Sequence, residues 1–412
     1  MNVLHQDPAS TRSGARRATA LVFAAQGAAV AAVSTSIPAV KERFDLPALV
    51  ITALILAVAL SAGAGSFIAL AAVRRHGPVT AMRGCVLAAV AALLGIAWAP
   101  DEAALAAGYV LFGLAVGGID VSANTRAAAV ERHYGHSIFA SFYAAWSVAG
   151  VAAALITAGA NRLGWPVEHI LTVQAVLVLV LVLGIRTHHL PDTTPGRTAP
   201  DPTATPVTSG IWTKLVPFGV VLLVAYVIDS SVSTWSTTYL HQTLAASLAA
   251  APLAYAAYQA GTVIGRTSAD RLVRRIGPTA TVRCATLVTA AALTGLASAP
   301  SWPLGVAAAG LTGLSVSALT PLCLASAARL QPHAAEAVLA RMNLFNYFGV
   351  IAGGAASGLL GSAGHFRLAY AVPALLVLLL IATARHFTPV NPADDPGPEL
   401  RRDDQRAPAV RI

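Results

Sequence analysis

Charged residues are scarce in this 412-residue chain. Asp, Glu, Lys and Arg make up 11% of it, whereas a soluble protein carries about a quarter. Hydrophobic residues account for 56%, and the mean hydropathy is +0.67. Only several membrane spans accommodate so much apolar sequence. The composition therefore predicts an integral membrane protein.

Residues that hold metals or cofactors are also few. The three cysteines, Cys85, Cys284 and Cys323, lie in apolar runs, and no CxxC pair occurs. The histidines fall mostly between the apolar runs, and none pairs at metal-ligand spacing inside one. The sequence has no glycine-rich phosphate loop ending in Lys-Ser or Lys-Thr. We therefore predict no metal, no cofactor and no enzymatic activity.

Apolar runs of about 20 residues predict transmembrane helices. Short segments rich in Pro, Gly and charge separate these runs. The twelve predicted spans are 18–40, 46–73, 79–98, 103–128, 137–160, 165–186, 212–239, 248–268, 280–299, 303–328, 338–360 and 367–385.

One longer gap, residues 193–210, is rich in Pro and Thr and indicates a linker between two halves. The predicted fold is thus all-α, with twelve transmembrane helices in two groups of six. The predicted organisation is an N-terminal segment 1–17, a six-helix bundle 18–186, a linker 187–211, a second six-helix bundle 212–385 and a disordered tail 386–412.

The basic residues predict the orientation. An even number of spans places both termini on one side. That side then holds 23 of the 27 basic residues, Arg266 among them, and the other side holds Lys41, Arg43, Arg162 and Arg367. The positive-inside rule predicts cytoplasmic termini. It also explains the basic pI as membrane topology, so the expected partner is the lipid bilayer and not nucleic acid.

The two halves match at a fixed offset of 200 residues. The matches are Gly65 with Gly265, RRHGP (74–78) with RRIGP (274–278), Arg83 with Arg283, and Ala99-Pro100 with Ala299-Pro300. A duplicated six-helix unit is typical of transporters. Because helices 1 and 7 run in the same direction, the repeat is a parallel one.

With these features the chain resembles the major facilitator superfamily, and the segment GRTSADRLVRRIGP (265–278) resembles that family's loop motif. The matching positions are Gly265, Asp270, Arg271, Arg274, Arg275 and Gly277. In the first half Leu70 and Ala71 replace the Asp-Arg pair. Two further segments, DVSANTRAAAVE in helix 4 and IDSSVSTW (228–235) in helix 7, resemble the branch of bacterial sugar-type permeases related to fucose permease.

The loop motif suggests a gate at the cytoplasmic face. Asp270 would pair with Arg329 or approach the N-terminus of helix 5, where a carboxylate is favoured. The alternative is that the arginines of the motif only fix topology and contact anionic lipid. Arg126 and Glu131, at the end of helix 4, are predicted to belong to the same cytoplasmic rim. For Glu131 a simple salt bridge to an arginine is the alternative.

Two acidic residues lie well inside predicted spans, Asp120 in helix 4 and Asp229 in helix 7. Ionisable groups at membrane depth are costly and usually functional. A carboxyl group there can bind and release a proton, so we predict that both couple transport to protons. The alternative for each is a structural hydrogen bond or salt bridge.

Further polar and aromatic residues share helix faces with these acids, occupy equivalent positions in the repeat, or lie within helices 1 and 8. We predict that they line a central cavity, with helix packing as the alternative. They are Gln26, Asn124, Tyr143, Trp146, Ser147, Tyr226, Ser233, Gln259, Asn343, Asn346 and Tyr347.

These features and the resemblance predict a monomeric secondary transporter of a bacterial plasma membrane. It would move a sugar-like or amphipathic small molecule by alternating access, driven by a proton or sodium gradient. A drug or natural-product efflux antiporter is the alternative, although helix 5 lacks the proline of the exporters' motif. A membrane-embedded enzyme and a receptor are more remote alternatives.

Overall fold

A computed structural model describes residues 8–134, 138–184, 210–331 and 334–387, in which every regular element is a helix. The first half contains α1 (Pro8–Phe44), α2 (Ala48–His76), α3 (Pro78–Ala97), α4 (Glu102–Tyr134), α5 (Phe139–Arg162) and α6 (Val167–Leu183). The second half contains α7 (Ile211–Thr243), α8 (Leu253–Ile276), α9 (Pro278–Ser298), α10 (Trp302–Val316), α11 (Leu319–Ala328), α12 (Ala335–Ser362), α13 (Leu368–Leu378) and α14 (Leu380–Thr383), followed by a 3₁₀ turn (Ala384–His386).

The described helices form the twelve predicted spans. One span comprises α10 and α11, because Ser317 and Ala318 between them keep helical backbone angles. Another comprises α13, α14 and the 3₁₀ turn. Ten described spans are long and apolar enough to cross a membrane by length and composition alone. The other two are α6, which has 17 residues, and α8, which carries four arginines.

The predicted boundaries differ most from the helices at the start of α1, which begins ten residues earlier, and at the C-terminal ends of α4 and α8, which continue six and eight residues further. Helix α1 begins at Pro8, so it extends into the segment predicted to precede the first span. Most of the predicted linker and tail lies outside the described residues. We call the end of the bundle near Pro8 and His386 the inner end, following the predicted orientation, and the opposite end the outer end.

The internal repeat is visible in the backbone. Gly77 and Gly277 have φ angles of 80° and 79° and start α3 and α9. Each donates its N–H to the carbonyl of the valine four residues earlier. Only glycine adopts this conformation without strain. The shared turn explains why the sequence match at offset 200 is strongest here.

The outer ends of α3 and α9 are held in the same way. The guanidinium of Arg43 donates to the carbonyl oxygens of Ala97 and Ala99. The guanidinium of Arg367 donates to the two alanine carbonyls 200 residues further on, at 2.7 and 3.3 Å. These carbonyls lie at helix C-terminal ends and lack intrahelical partners, so a cation is favoured there. Each half thus fixes its own outer end.

Within each half the second and fourth helices approach closely through glycines. A Cβ atom at Gly65 would lie 2.1 Å from the carbonyl oxygen of Leu114, and one at Gly265 would lie 2.1 Å from that of Leu314. These positions match at offset 200. Small residues at such crossings allow helix backbones to pack closely in a membrane.

We expect Gly265→Ala to destabilise the folded protein, because the added methyl overlaps backbone that cannot rotate away. Overpacking of this kind costs about 1–3 kcal/mol. Gly63→Ala is the matched control, since nothing lies within 4 Å of the added atom. Thermal unfolding of the purified protein in detergent measures both. Equal midpoints for the two variants would contradict the close contact.

Candidate functional site: a cavity between the two halves

The two intramembrane acids lie half-way along their helices. Asp120 is the nineteenth residue of α4 and Asp229 the nineteenth of α7, and both helices have 33 residues. At 1.5 Å per residue each acid lies about 27 Å from the start of its helix. Because α4 and α7 belong to different halves, each half places one carboxyl group near the middle of the membrane.

Asp120 lies beside a predicted cavity residue of α1. The amide nitrogen of Gln26 donates to Oδ1 of Asp120 at 2.6 Å. Gln26 is buried, whereas Asp120 is exposed in spite of its depth. Tyr226 of the other half lies within electrostatic range of Asp120. Asp120 therefore faces the space between the halves.

Asp229 is bound by a residue that the sequence analysis missed. The hydroxyl of Tyr258 in α8 donates to Oδ1 of Asp229 at 2.7 Å. Ser233, predicted to line the cavity with Asp229, is partly buried and donates its hydroxyl to the Asp229 backbone carbonyl at 2.6 Å. Each carboxyl group thus accepts a hydrogen bond from one neutral side chain of its own half.

Arg266 lies deeper than the sequence predicts. The sequence places it with the cytoplasmic charges, but it is the fourteenth of the 24 residues of α8, about 20 Å from the outer end of that helix. Its guanidinium lies 5.9 Å from the ring centroid of Tyr143 in the other half. A stripe of polar residues at four-residue spacing, Tyr258, Thr262 and Arg266, would have identified both missed residues.

The remaining aromatic and amide residues that were predicted to line the cavity differ in how much of their side chain is exposed. Tyr143 is 39% exposed and lies beside Asn124 in its own half. Tyr347 is 65% exposed, within electrostatic range of Asp120. Asn343 is exposed, and Trp146, Tyr226 and Asn346 are partly buried. The structure thus brings Tyr143, Tyr226 and Tyr347 together around the acids.

Ser147 and Gln259 lie outside this open space. The Ser147 hydroxyl donates to the Gln259 side-chain oxygen at 3.1 Å across the boundary between the halves, and both residues are buried. In this conformation the pair joins α5 to α8 and is closed off from the cavity. The contact corresponds to helix packing, the alternative considered for the polar residues.

Further side-chain contacts join the two halves between the level of the Ser147–Gln259 pair and the outer end. His241 Nε2 lies 2.7 Å from a carboxylate oxygen of Glu42. The Asn161 side chain donates to the carbonyl of Leu248 at 3.0 Å, and the Thr52 hydroxyl donates to that of Gly358 at 3.0 Å. Towards the inner end, by contrast, α4 and α11 pack on helices of their own halves. The hydrogen bonds described between the halves thus lie at the level of Ser147 and Gln259 or towards the outer end.

The structure describes the residues of the loop motif except the side chain of Asp270. Gly277 makes the turn to α9, and Arg271, Arg274 and Arg275 are exposed. Arg329, at the end of α11, is exposed too. The side chain of Asp270 lies outside the described residues, so the predicted gate stays a prediction.

The two rim residues of α4 have other surroundings than expected. Arg126 is buried inside the protein, with 2% of its surface exposed. A carboxylate oxygen of Glu131 accepts the backbone N–H groups of Ile138 and Phe139, each at 2.8 Å. Glu131 thus caps the start of α5, where free N–H groups favour a negative charge.

A family model described as Major Facilitator Superfamily matches residues 18–296 and 218–411. The chain belongs to this superfamily. An uncharacterised MFS-type transporter of Yersinia pestis is 26% identical over 400 residues, which cover 93% of this chain and 99% of the relative. Membership identifies the chain as a multi-pass membrane transporter rather than an enzyme.

Solved structures of superfamily members have the same fold. A variant of the nucleoside transporter NupG matches with a TM-score of 0.69 and 14% identity, covering 92% of this chain and all of that one. A variant of the E. coli fucose:proton symporter FucP matches with a TM-score of 0.55 and 14% identity, covering 90% and 98%. The predicted resemblance to the major facilitator superfamily is thus confirmed by the family model, and these structures share its fold.

Proposed function

We propose that this protein is a secondary active transporter that moves a small organic solute across the bacterial plasma membrane by alternating access. One observation carries the proposal: a carboxyl group from each half lies at mid-depth and faces or borders the cavity between the halves. Substrate and coupling-ion sites of such transporters lie at the midplane between repeats. Because one chain encloses this cavity, a monomer is sufficient.

We propose protons as the coupling ions, with Asp120 and Asp229 as the groups that carry them. Gln26 and Tyr258 each donate a neutral hydrogen bond to one carboxyl oxygen. No basic group lies within 4 Å of either carboxyl group in the described part of the chain. A permanent ion pair would hold these groups ionised, whereas a neutral donor leaves them able to take up a proton. The fold relative named as a fucose:proton symporter agrees with this coupling.

The polar and aromatic residues of the cavity support a solute with both hydrogen-bonding groups and flat apolar surface. Tyr143, Tyr226 and Tyr347 offer ring faces and hydroxyls, and Asn124 and Asn343 offer amide donors and acceptors. Sugar-like and amphipathic metabolites both fit this description. Proton-driven efflux of an amphipathic product uses the same residues with the opposite direction of solute movement.

The test is a transport screen in proteoliposomes. Sugars, nucleosides and amphipathic drugs are offered with an imposed pH gradient, an imposed sodium gradient, or no gradient. We expect at least one solute to be accumulated or extruded against its own gradient under the pH gradient, and a protonophore to abolish this movement. The double variant D120N/D229N and protein-free liposomes are the controls. Solute movement that is driven by sodium and independent of pH would contradict proton coupling. Absence of solute movement under either gradient would contradict the proposed transport function.

A further inference from the structure

The cavity contains a cation that the proton-coupling scheme does not use. Arg266 lies at membrane depth, partly buried, and its described contact is with the ring of Tyr143. No carboxylate lies within 4 Å of its guanidinium among the described residues. An arginine within a span is costly unless its charge is balanced, and such residues commonly mark substrate pathways.

Arg266 has one aromatic neighbour in the other half and two polar neighbours in α7. The Tyr143 ring belongs to the other half, so the contact joins α8 to α5 across the boundary between the halves. Asp229 and Tyr226 lie within electrostatic range of Arg266. A guanidinium over an aromatic ring keeps the N–H groups along its edge free to donate. That edge matches the two oxygens of a carboxylate.

The balance of charge in the cavity depends on protonation. With Asp120 and Asp229 both protonated, Arg266 leaves the cavity with a net charge of +1, and one bound carboxylate makes it neutral. With both acids ionised the net charge is −1, and a further anion is repelled. A carboxylate solute and protons therefore stabilise each other in the cavity, which links their binding as coupled transport requires.

We propose that the transported solute is a small organic carboxylate and that Arg266 binds its carboxylate group. The exposed rings of Tyr143 and Tyr347 would contact an apolar or aromatic body beside that group. The inference rests on the proposed transport function and narrows its substrate class. It also assigns a binding role to a residue outside the predicted cavity set.

The experiment compares acids with their uncharged amides in binding to the purified protein in detergent. The probes are phenylacetate against phenylacetamide and indole-3-acetate against indole-3-acetamide, with D-gluconate against D-glucose as a polar pair. We expect the wild type to bind at least one acid tenfold or more tighter than its neutral counterpart. Calorimetry measures the affinities, and binding avoids the passive leak of weak acids through liposomes.

The variants isolate the guanidinium. R266Q is expected to lose the preference for the acid at least tenfold while its affinity for the neutral probe is unchanged. R266K keeps the positive charge but lacks the planar pair of N–H donors of a guanidinium. We expect it to retain part of the preference for the acid over the neutral probe. R283Q removes an exposed arginine of α9 and should match the wild type. If R266Q does not fold, the proposal is tested by the preference of the wild type for the acid and by the reduction of that preference in R266K.

Two results would overturn the carboxylate proposal: wild-type protein that binds no acid better than its neutral counterpart, or R266Q that keeps the preference. Proton-driven transport of a neutral sugar or nucleoside would also overturn it while leaving the proposed transport function intact. Conversely, acid binding that depends on Arg266, without gradient-driven movement of any solute, would contradict transport and keep the binding site.

Discussion

Replacing Asp229 with asparagine is expected to reduce transport driven by a pH gradient at least tenfold while leaving the amount of folded protein unchanged. Tyr258 donates to Oδ1 of Asp229 at 2.7 Å, and the asparagine side chain keeps a carbonyl oxygen that can accept the same bond. The substitution therefore retains the contact between α7 and α8 and removes only the capacity to bind and release a proton.

The measurement separates coupling from binding. In proteoliposomes, D229N should fail to accumulate solute under a pH gradient but should still exchange labelled for unlabelled solute across the membrane. Tyr258→Phe is the matched control, because it removes the hydrogen bond and keeps the acid, and we expect it to retain proton-driven transport. Wild-type accumulation with an unchanged pH profile in D229N would exclude a coupling role for Asp229.

The sequence predicts this fold well because a membrane restricts the choices. A buried backbone must hydrogen-bond within its own helix, so each apolar run of sufficient length becomes a span. The repeat is recognisable because Gly65 and Gly77, like their counterparts 200 residues later, occupy positions that require glycine. At Gly65 two helices approach closely, and at Gly77 the φ angle is positive. The ends of the spans are less predictable, since α1 continues past the predicted inner boundary to Pro8, and polar residues there carry no penalty because they lie outside the lipid.

Site residues can be predicted where a polar side chain lies within an otherwise apolar span. Asp120 and Gln26 were both selected as polar residues at membrane depth, and the structure joins them. The four-residue spacing of Tyr258 with Thr262 and Arg266 marks Tyr258 as a polar-face residue, but the sequence does not show that it meets Asp229, because the two lie on different helices, 29 residues apart. Arg266 was assigned to the cytoplasmic face because it stands close to the loop motif in sequence, although ten residues of helix separate it from the turn at Gly277.

Crosslinking the outer ends of the two halves is expected to stop transport. Glu42 near the end of α1 and His241 near the end of α7 meet with 2.7 Å between their side chains. If the cavity opens alternately to each side, these residues must separate in every cycle. In a background with Cys85, Cys284 and Cys323 replaced by serine, E42C/H241C treated with a short bifunctional thiol-reactive reagent, such as a bis-methanethiosulfonate, should lose transport. A reagent with a cleavable disulfide should allow a reductant to restore it.

The matched control is a crosslink at the same level within one half. Arg43 and Glu168 lie 3.7 Å apart at the outer ends of α1 and the start of α6, both in the first half. If the halves move as rigid bodies, R43C/E168C with the same reagent should leave transport within about twofold of its untreated rate, because rigid-body motion leaves distances within a half unchanged. Equal inhibition by both crosslinks would point to motion inside the halves, and full activity of the E42C/H241C crosslink would show that the outer end stays closed throughout the cycle.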